Sequence, residues 1–227
     1  MPLFKHLFTE APLQGGMLVH LPSPLQHRLS KVLRLGEGNE IALFNGKDGL
    51  WQARVADKAC KTAQLGTQLK SQPAPAALTL VLGLPKRDAW ESALRQATEL
   101  GVGAIQPLQT EYAQRGHFNA ERAHTLVVEA AEQSEHLALP TLLPTLSLPA
   151  WLKAQNTPCL YGAARGEGMG KAGTQTVLVG PEGGFSPAEE ALLAAHPYIT
   201  AIHLPTGILR TDTAVVALLT AAMLGSA

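Results

Sequence analysis

The spacing of hydrophobic positions changes once along the chain, near residue 72, and this change predicts two regions of different architecture. In the first region, short apolar runs typical of β-strands cover residues 17–20, 40–44, 50–55 and 62–69. An Asn-Gly pair and an Asp-Gly pair separate the second run from the third, which is a strong signal for a turn between paired strands. We therefore expect a small β-rich domain, partly a barrel, with one helix over residues 24–33.

After a Pro- and Ala-rich segment at residues 71–77, strand-like runs alternate with helical stretches. This alternation predicts an α/β domain with a parallel sheet, helices on both faces, and ligands at the carboxyl ends of the strands. The predicted domains are residues 1–72 and 73–227. The predicted strands cover residues 78–84, 104–108, 159–161, 176–179 and 201–204, and the predicted helices cover residues 88–100, 119–136, 211–224 and a stretch that begins after Ser186.

The composition argues against several classes of protein. The chain has 227 residues, is 46% hydrophobic and 16% charged, and is therefore typical of a globular protein. It contains no apolar run of about eighteen residues, so we expect no membrane span. The N-terminus does not show the pattern of a secretory signal. Cys60 and Cys159 lie far apart and form no CxxC pair, which favours a reducing cytoplasm and no bound metal.

The charge is unevenly distributed although the formal net charge is zero. Residues 1–72 hold nine Lys and Arg against five Asp and Glu, so the remaining residues are acidic by the same margin. The helix predicted at residues 24–33, with the residue that follows it, carries a basic cluster of His27, Arg28, Lys31 and Arg34. Two interpretations stay open: the cluster faces RNA, or it is the solvated face of an ordinary amphipathic helix, which is the more common case.

The stretch VLVGPEGGFSPAEE, residues 177–190, predicts a strand, a glycine turn and a helix. Ser186, Pro187 and Glu189 have the spacing of a capping box with proline at the first helical position. A second loop, LPTGILRTDTA, also contains glycine and opens a helix. If the two loops follow neighbouring strands, as we expect, they form a cradle for a small ligand.

The segment RGEGMGKAG at residues 165–173 does not match a phosphate-binding loop, because Arg165 and Ala172 stand where that motif needs Gly and Ser or Thr. The sequence also shows no zinc-protease motif and no nucleophile elbow. These absences favour group transfer from a bound donor, in which the protein mainly positions the reactants.

Four motifs in order resemble the SPOUT superfamily of knotted RNA methyltransferases, and most closely the family that methylates N3 of one uridine in 16S ribosomal RNA. They are KRDAWESALRQATELGV (86–102), EAAEQSEH (129–136), GPEGGFSPAEE (180–190) and GILRTDTA (207–214). The resemblance extends to HRLSKVLRLGEGNEIALFNGKDGLW (27–51), so it covers nearly the whole chain.

The resemblance implies a PUA-like barrel that helps to hold RNA, followed by a SPOUT domain with a C-terminal trefoil knot. It also implies S-adenosylmethionine as methyl donor, 16S ribosomal RNA or the small ribosomal subunit as partner, and a homodimer. Arg210 is expected to face the reacting base, and Glu182 either orients the donor or braces its loop. The implied donor-binding residues are Gly180, Pro181, Glu182, Gly183, Gly184, Leu204, Gly207, Ile208 and Leu209.

The chain departs from the family pattern at three places. An arginine near the N-terminus is absent, and only Lys5 and His6 are nearby cations. The usual Thr-Glu-Arg-Ser is TEYAQR, so its arginine is lost or displaced to Arg115, and the usual Leu-Gly before the last motif is LPTG. These departures motivate two alternatives: a catalytically inactive RNA-binding protein with the same fold, and a small-molecule enzyme that uses the same loops for another nucleotide.

Overall fold

The computed structural model describes residues 5–114, 119–163, 174–204 and 207–224. Packing contacts divide the chain into two compact units, Met1–Ala74 with Ala131–Leu139, and Pro75–Ala130 with Pro140–Ala227. Residues 131–139 therefore group with the first unit although they are distant from it in sequence. The division at residues 72 and 73 stays our proposal for where the two domains join along the chain.

The first unit is a curled five-stranded sheet. Its strands are β1 (His6–Phe8), β2 (Leu18–His20), β3 (Glu40–Phe44), β4 (Leu50–Val55) and β5 (Thr62–Lys70). Their order is β1-β3-β4-β5-β2, in which β1 pairs with β3 in parallel and the other neighbours are antiparallel. Register shifts near Trp51 interrupt the pairing of β4 with β5, and such irregularities bend a sheet. The four predicted strands are confirmed, whereas β1 is too short to show an alternating pattern.

The helix predicted at residues 24–33 has two parts. An α-helix, α1 (Ser23–His27), continues into a π-helical turn at Arg28–Val32. The amide of Leu33 donates to the Arg28 carbonyl at 2.8 Å, a bond that spans five residues instead of four. Leu25 and Leu29 are buried in the core of this unit. Sequence periodicity located the helix but did not predict the widened turn.

The second unit contains a sheet of seven parallel strands among the described residues, with the order β12-β10-β11-β6-β7-β8 and with β9 also paired to β7. The strands are β6 (Thr79–Gly83), β7 (Ala104–Gln109), β8 (Thr141–Leu142), β9 (Leu146–Ser147), β10 (Cys159–Gly162), β11 (Thr176–Val179) and β12 (Ile199–Ile202). The helices are α2 (Arg87–Glu99), α3 (Ala120–Ser134), α4 (Leu148–Ala154), α5 (Pro187–Ala195) and α6 (Thr211–Leu224). The last turn of α3, from residue 131, groups with the first unit.

Helices cover both faces of this sheet, as predicted. Successive side chains of a strand point to opposite faces, so Leu80 and Leu82 pack in one core and Val81 packs in the other. The first core also holds Leu94, Leu126 and Leu219 from α2, α3 and α6, and the second holds Trp151 and Leu193 from α4 and α5.

Three elements of the second unit were not predicted: β8, β9 and α4. The segment that contains them has Pro140, Pro144 and Pro149, a density typical of loops. The start of α4 nevertheless carried a signal, because Ser147 accepts a hydrogen bond from the Ala150 amide at 3.3 Å and Pro149 lies in the first helical turn.

Two predictions concern segments outside the described residues. The loop predicted at residues 165–173 is one of them. The trefoil knot is the other, because the chain passes from β10 to β11 and from β12 to α6 through residues 164–173 and 205–206. Within the described residues, no helix combines the length and hydropathy needed to cross a membrane, and no His, Cys, Asp and Glu side chains cluster in a way that could hold a metal ion.

Gly103 is a point of close backbone contact that generates a stability prediction. A Cβ atom at this position would lie 1.8 Å from the Ala76 carbonyl oxygen, and the Gly103 amide donates to the Leu78 carbonyl at 2.8 Å. We expect Gly103→Ala to lower the free energy of unfolding by about 3 kcal/mol, as overpacking does. Urea denaturation followed by tryptophan fluorescence measures this loss. Gly66→Ala is the control, because its Cβ would make only ordinary contacts, and equal midpoints for the two variants would contradict the prediction.

Candidate active site

A cavity of about 500 Å³ lies at the carboxyl edge of the parallel sheet, where β12, β10 and β11 end side by side. It is within the usual size range of small-molecule sites. All residues that the sequence analysis assigned to donor binding line this cavity, and so does Arg210. Its lining consists of Tyr161, Gly162, Ala163, Val179, Gly180, Pro181, Glu182, Gly183, Gly184, Phe185, Glu190, Ile202, His203, Leu204, Gly207, Ile208, Leu209, Arg210, Thr211, Ala214 and Leu218.

The two motif loops do not follow neighbouring strands, and this corrects the sequence-based expectation. β10 lies between β11 and β12 and pairs in parallel with both. Its carboxyl end therefore contributes Tyr161, Gly162 and Ala163 to the cavity between the loops. A Cβ atom on Gly162 would come within 2.3 Å of the Leu218 side chain on α6, so glycine permits this close packing.

The first motif loop has the predicted turn and cap. The Gly184 amide donates to the Pro181 carbonyl at 2.9 Å, and Gly184 has a φ of +69°, which favours glycine. Nothing lies within 4 Å of the position that a Gly184 Cβ would occupy. Ser186 and Glu189 form the reciprocal capping box at the start of α5. The loop is therefore held in shape by backbone bonds and a helix cap.

Three loops at this edge of the sheet are joined to one another. The Glu189 carboxylate accepts hydrogen bonds from the Ser186 amide at 3.0 Å and from the Glu111 amide at 2.9 Å, so it links α5 to the loop after β7. The amide of Gln114 donates to the Leu84 carbonyl at 3.0 Å, which links the same loop to the segment after β6. These bonds preorganise the rim of the cavity.

Glu182 has a bracing contact. Its carboxylate accepts hydrogen bonds from the Lys86 amide at 3.0 and 3.2 Å, and Lys86 is the N-cap residue of α2. A carboxylate near the N-terminus of a helix also interacts favourably with the helix dipole. Of the two roles considered for Glu182, this geometry supports the bracing role.

Arg210 stands at the start of α6 with its side chain 83% exposed. Its carbonyl accepts the first helical hydrogen bond from the Ala214 amide at 2.8 Å, so its position is fixed by the helix. The helix is anchored by Val215, Leu218 and Leu219, which are buried as predicted, whereas Val216 is only half-buried. The closest carboxylate contact given for the guanidinium is to Asp212 at 3.7 Å. Arg210 can therefore reach a ligand at the mouth of the cavity.

Tyr161 and Glu190 are lining residues that the sequence analysis missed. The Tyr161 hydroxyl donates to a Glu190 carboxylate oxygen at 2.6 Å, and its ring packs edge to face on Phe185 with centroids 5.4 Å apart. Burial, reinforced by the bond to the Glu190 carboxylate, raises the pKa of Tyr161 well above its usual range. The pair therefore presents a neutral phenol and a carboxylate. No local motif marks these residues, because only the fold brings them together.

The basic cluster of the first unit divides into two kinds of residue. Arg28 forms an ion pair with Glu132, whose side chain is only 6% exposed and also accepts the Phe8 amide at 2.8 Å. Arg28 thus has a structural partner. His27, Lys31 and Arg34 are exposed, and Arg34 adopts a φ of +55° just beyond the π turn. These three side chains stay candidates for contact with RNA, and Arg115 lies outside the described residues.

Family models match most of the chain. Residues 72–223 match the model of an RNA methyltransferase domain, and residues 29–65 match that of an RNA methyltransferase PUA domain. The chain is 35% identical to Ribosomal RNA small subunit methyltransferase E of Rickettsia conorii over 225 residues, which cover 94% of this chain and 92% of that protein. It is 33% identical to the Synechocystis protein of the same name, with coverages of 86% and 69%.

Solved structures agree with the fold described above. A Ribosomal RNA small subunit methyltransferase E from Neisseria gonorrhoeae, bound to S-adenosyl methionine, superposes with a TM-score of 0.82 at 27% identity over 96% of both chains. A Legionella pneumophila methyltransferase in complex with the same cofactor gives a TM-score of 0.86 over 98% of both chains. At 22% identity, the second likeness supports the fold alone.

The bracing role of Glu182 predicts a measurable loss of stability. We expect Glu182→Ala to lower the free energy of unfolding by about 1 kcal/mol, because the Lys86 amide loses its acceptor. Glu182→Gln should keep most of the stability, since an amide oxygen still accepts the bond. Chemical denaturation measures both. Glu111→Ala is the control, because the loop bond there is made by the backbone. Wild-type stability in Glu182→Ala would show that the bracing bonds contribute nothing.

Proposed function

The chain belongs to the Ribosomal RNA small subunit methyltransferase E family of RNA methyltransferases, and from this premise we propose that it methylates N3 of a uridine in 16S ribosomal RNA. The proposed methyl donor is S-adenosylmethionine. The observation that carries the proposal is the convergence of both motif loops on one cavity at the carboxyl edge of the sheet. Neither loop identifies a ligand by itself, but a donor site requires residues from both loops around one cavity.

The cavity residues fit the proposed donor. A volume of about 500 Å³ suits a nucleoside-sized ligand. The positive φ of Gly184 and the open space at its Cβ position let the loop backbone approach a ligand closely. Leu204, Ile208 and Leu209 offer apolar contacts, and the Glu190 carboxylate offers negative charge to a cation. We propose that the 180–184 and 204–209 loops hold the donor between them.

The donor, when bound, supplies an electrophilic methyl group attached to a sulfonium sulfur. The work of the chain is to place the target base in line with that group, because orientation contributes much of the catalysis in such a transfer. N3 of uracil carries a proton that must leave at or before attack, so negative charge develops on the base. Arg210 carries a permanent positive charge at this position, and the N-terminus of α6 adds to it. We propose that both stabilise the developing anion.

The remaining parts of the proposal concern partners. The first unit matches a PUA domain, and we propose that its exposed cations Lys31 and Arg34, together with His27, contact RNA phosphates. Arg28 contributes through its ion pair with Glu132, which holds the π turn in place. We further propose that the substrate is presented as 16S ribosomal RNA or the small ribosomal subunit in the cytoplasm, and that the protein acts as a homodimer.

One experiment tests the proposed reaction directly. The protein is incubated with S-adenosylmethionine and with unmethylated small subunits or their RNA, and methylated nucleotides in the 16S RNA are mapped by mass spectrometry. We expect one N3-methyluridine. Methylation at another atom would overturn the assigned chemistry. RNA binding without donor binding would identify the protein as the inactive RNA-binding alternative.

Gly184 provides a test of the donor loop. We expect Gly184→Val to abolish binding of S-adenosylmethionine, because a β-branched residue at a φ of +69° is strained and its side chain would enter the open space at the cavity wall. Isothermal titration calorimetry measures the affinity, and circular dichroism checks the fold. Gly36→Val is the control. The space around Gly36 is also open, but Gly36 lies in the other unit, away from this loop in sequence. Unchanged affinity in Gly184→Val would remove this loop from the donor site.

Arg210 provides a test of the mechanism. We expect Arg210→Ala to reduce single-turnover methyl transfer roughly a hundredfold, or about 3 kcal/mol, as for loss of one preorganised group that stabilises an anion. Donor affinity should change little, because the loss is felt mainly in the transition state. Arg210→Lys should restore only part of the rate. Arg95→Ala, which breaks a surface ion pair with Glu91, is the control. Full activity in Arg210→Ala would leave the arginine with a structural role.

A further inference from the structure

Tyr112 is an exposed aromatic residue beside Gly183, one of the residues that line the cavity. It lies in the loop that follows β7, and 48% of its surface is exposed. Its neighbour in space is Gly183 of the donor loop. A Cβ atom on Gly183 would lie 3.1 Å from the Tyr112 Cβ and 3.7 Å from its Cγ. The tyrosine therefore packs against a segment whose residues also line the cavity.

The loop that carries Tyr112 is held on both sides. Before the tyrosine, the Glu111 amide donates to the Glu189 carboxylate at 2.9 Å, and after it the Ala113 amide donates to the Thr110 carbonyl at 3.3 Å. The Gln114 amide then bonds to the Leu84 carbonyl. A backbone with bonds on each side of the aromatic residue presents the ring in a defined place. Preorganisation of this kind lowers the entropic cost of binding.

The side chains around Tyr112 favour one kind of ligand. Its flanking carboxylates are Glu111 on its own loop and Glu182 beside Gly183, and both residues are exposed. Negative groups on both sides disfavour a phosphate at the ring itself. The face of a nucleobase is neutral and stacks on aromatic side chains, which is the common way in which proteins hold unstacked RNA bases. Lys86, exposed on the next loop, can take the adjoining phosphate.

We propose that Tyr112 is a stacking platform for an unpaired nucleobase of the RNA substrate, next to the base that enters the donor cavity. The proposal rests on the proposed function, because it takes the cavity as the donor site and RNA as the substrate. It also specifies the form of the substrate. The catalytic unit receives single-stranded RNA, with one base removed from its stack and held by the Tyr112 ring.

The experiment compares three tyrosine variants in RNA binding. The probes are a fluorescein-labelled oligouridylate and extracted 16S ribosomal RNA, and affinity is measured by fluorescence anisotropy at a series of salt concentrations. Tyr112→Ala should weaken binding roughly tenfold, as for loss of one stacked base. Tyr112→Phe should bind as the wild type does, because the ring is kept. Tyr198→Ala is the matched control, since Tyr198 is 44% exposed but lies beyond the end of α5 and has its ring beside His196 rather than Gly183.

The salt dependence separates stacking from charge. Phosphate contacts release counterions when RNA binds. Each contact that is lost therefore makes the slope of log affinity against log salt shallower by about one unit. Tyr112→Ala should instead lower affinity at every salt concentration with the slope unchanged. Lys86→Ala should reduce the slope, which gives the assay its positive control.

Several outcomes would overturn the proposal. The proposal fails if Tyr112→Ala binds RNA as tightly as the wild type or changes the salt slope. It also fails if Tyr112→Phe loses as much RNA affinity as Tyr112→Ala, or if the wild type binds no RNA. If Tyr112→Ala fails to fold, Tyr112→Leu keeps the packing on Gly183 without an aromatic face, and the same criteria apply to it. The proposed function fails in a different way, by absence of donor binding in calorimetry and of methyl transfer while Tyr112 still governs RNA affinity.

Discussion

The parallel pairing of β10 with both β11 and β12 is the constraint on which the rest of the second unit depends. In parallel strands all carboxyl ends meet at one edge of the sheet. Cys159 is level with Thr176 on one side and with Ile199 on the other, so the three strands end together. The loops that follow β11 and β12 are distant in sequence, and this register alone brings them to one cavity. Gly162 completes the arrangement because it lets α6 pack directly on the end of β10.

Carboxylates near the cavity serve mainly to hold backbone in place. Glu182 accepts from the amide of Lys86, the N-cap residue of α2, and Glu189 accepts from the amides of Ser186 and Glu111. These bonds satisfy three backbone amides that a helix or loop would otherwise leave without a partner. At the cavity mouth, the guanidinium of Arg210 is exposed, and α6 positions this residue through its backbone.

The three departures of this chain from its family pattern lie in different segments. The missing arginine lies near the N-terminus of the first unit, TEYAQR lies in the loop after β7, and LPTG lies in the motif loop after β12. The two motif loops contain the predicted glycines and the helix cap, and the cavity that they line has the size of a nucleoside site. The loop after β7 instead carries Tyr112, a half-exposed ring packed on the donor loop. Variation in the loop after β7 is physically reasonable, because the donor is the same small molecule for all members of a family, whereas contacts with a large RNA can be made in many ways.

The sequence by itself determined most of the elements and the class of each unit. Short apolar runs predicted β3, β4 and β11, and a capped, strongly apolar stretch predicted α6, all with the observed bounds. These signals are local, because propensity, turn residues and helix caps act within a few positions. The motif loops and the glycine turn were predicted for the same reason. Tertiary structure alone decided that β10 lies between the two motif strands, that Tyr161 meets Glu190, that Glu132 pairs with Arg28, and that Glu182 braces α2. Each of these joins residues far apart in sequence, and pairing of this kind is selected by sheet register and packing, which no local pattern encodes.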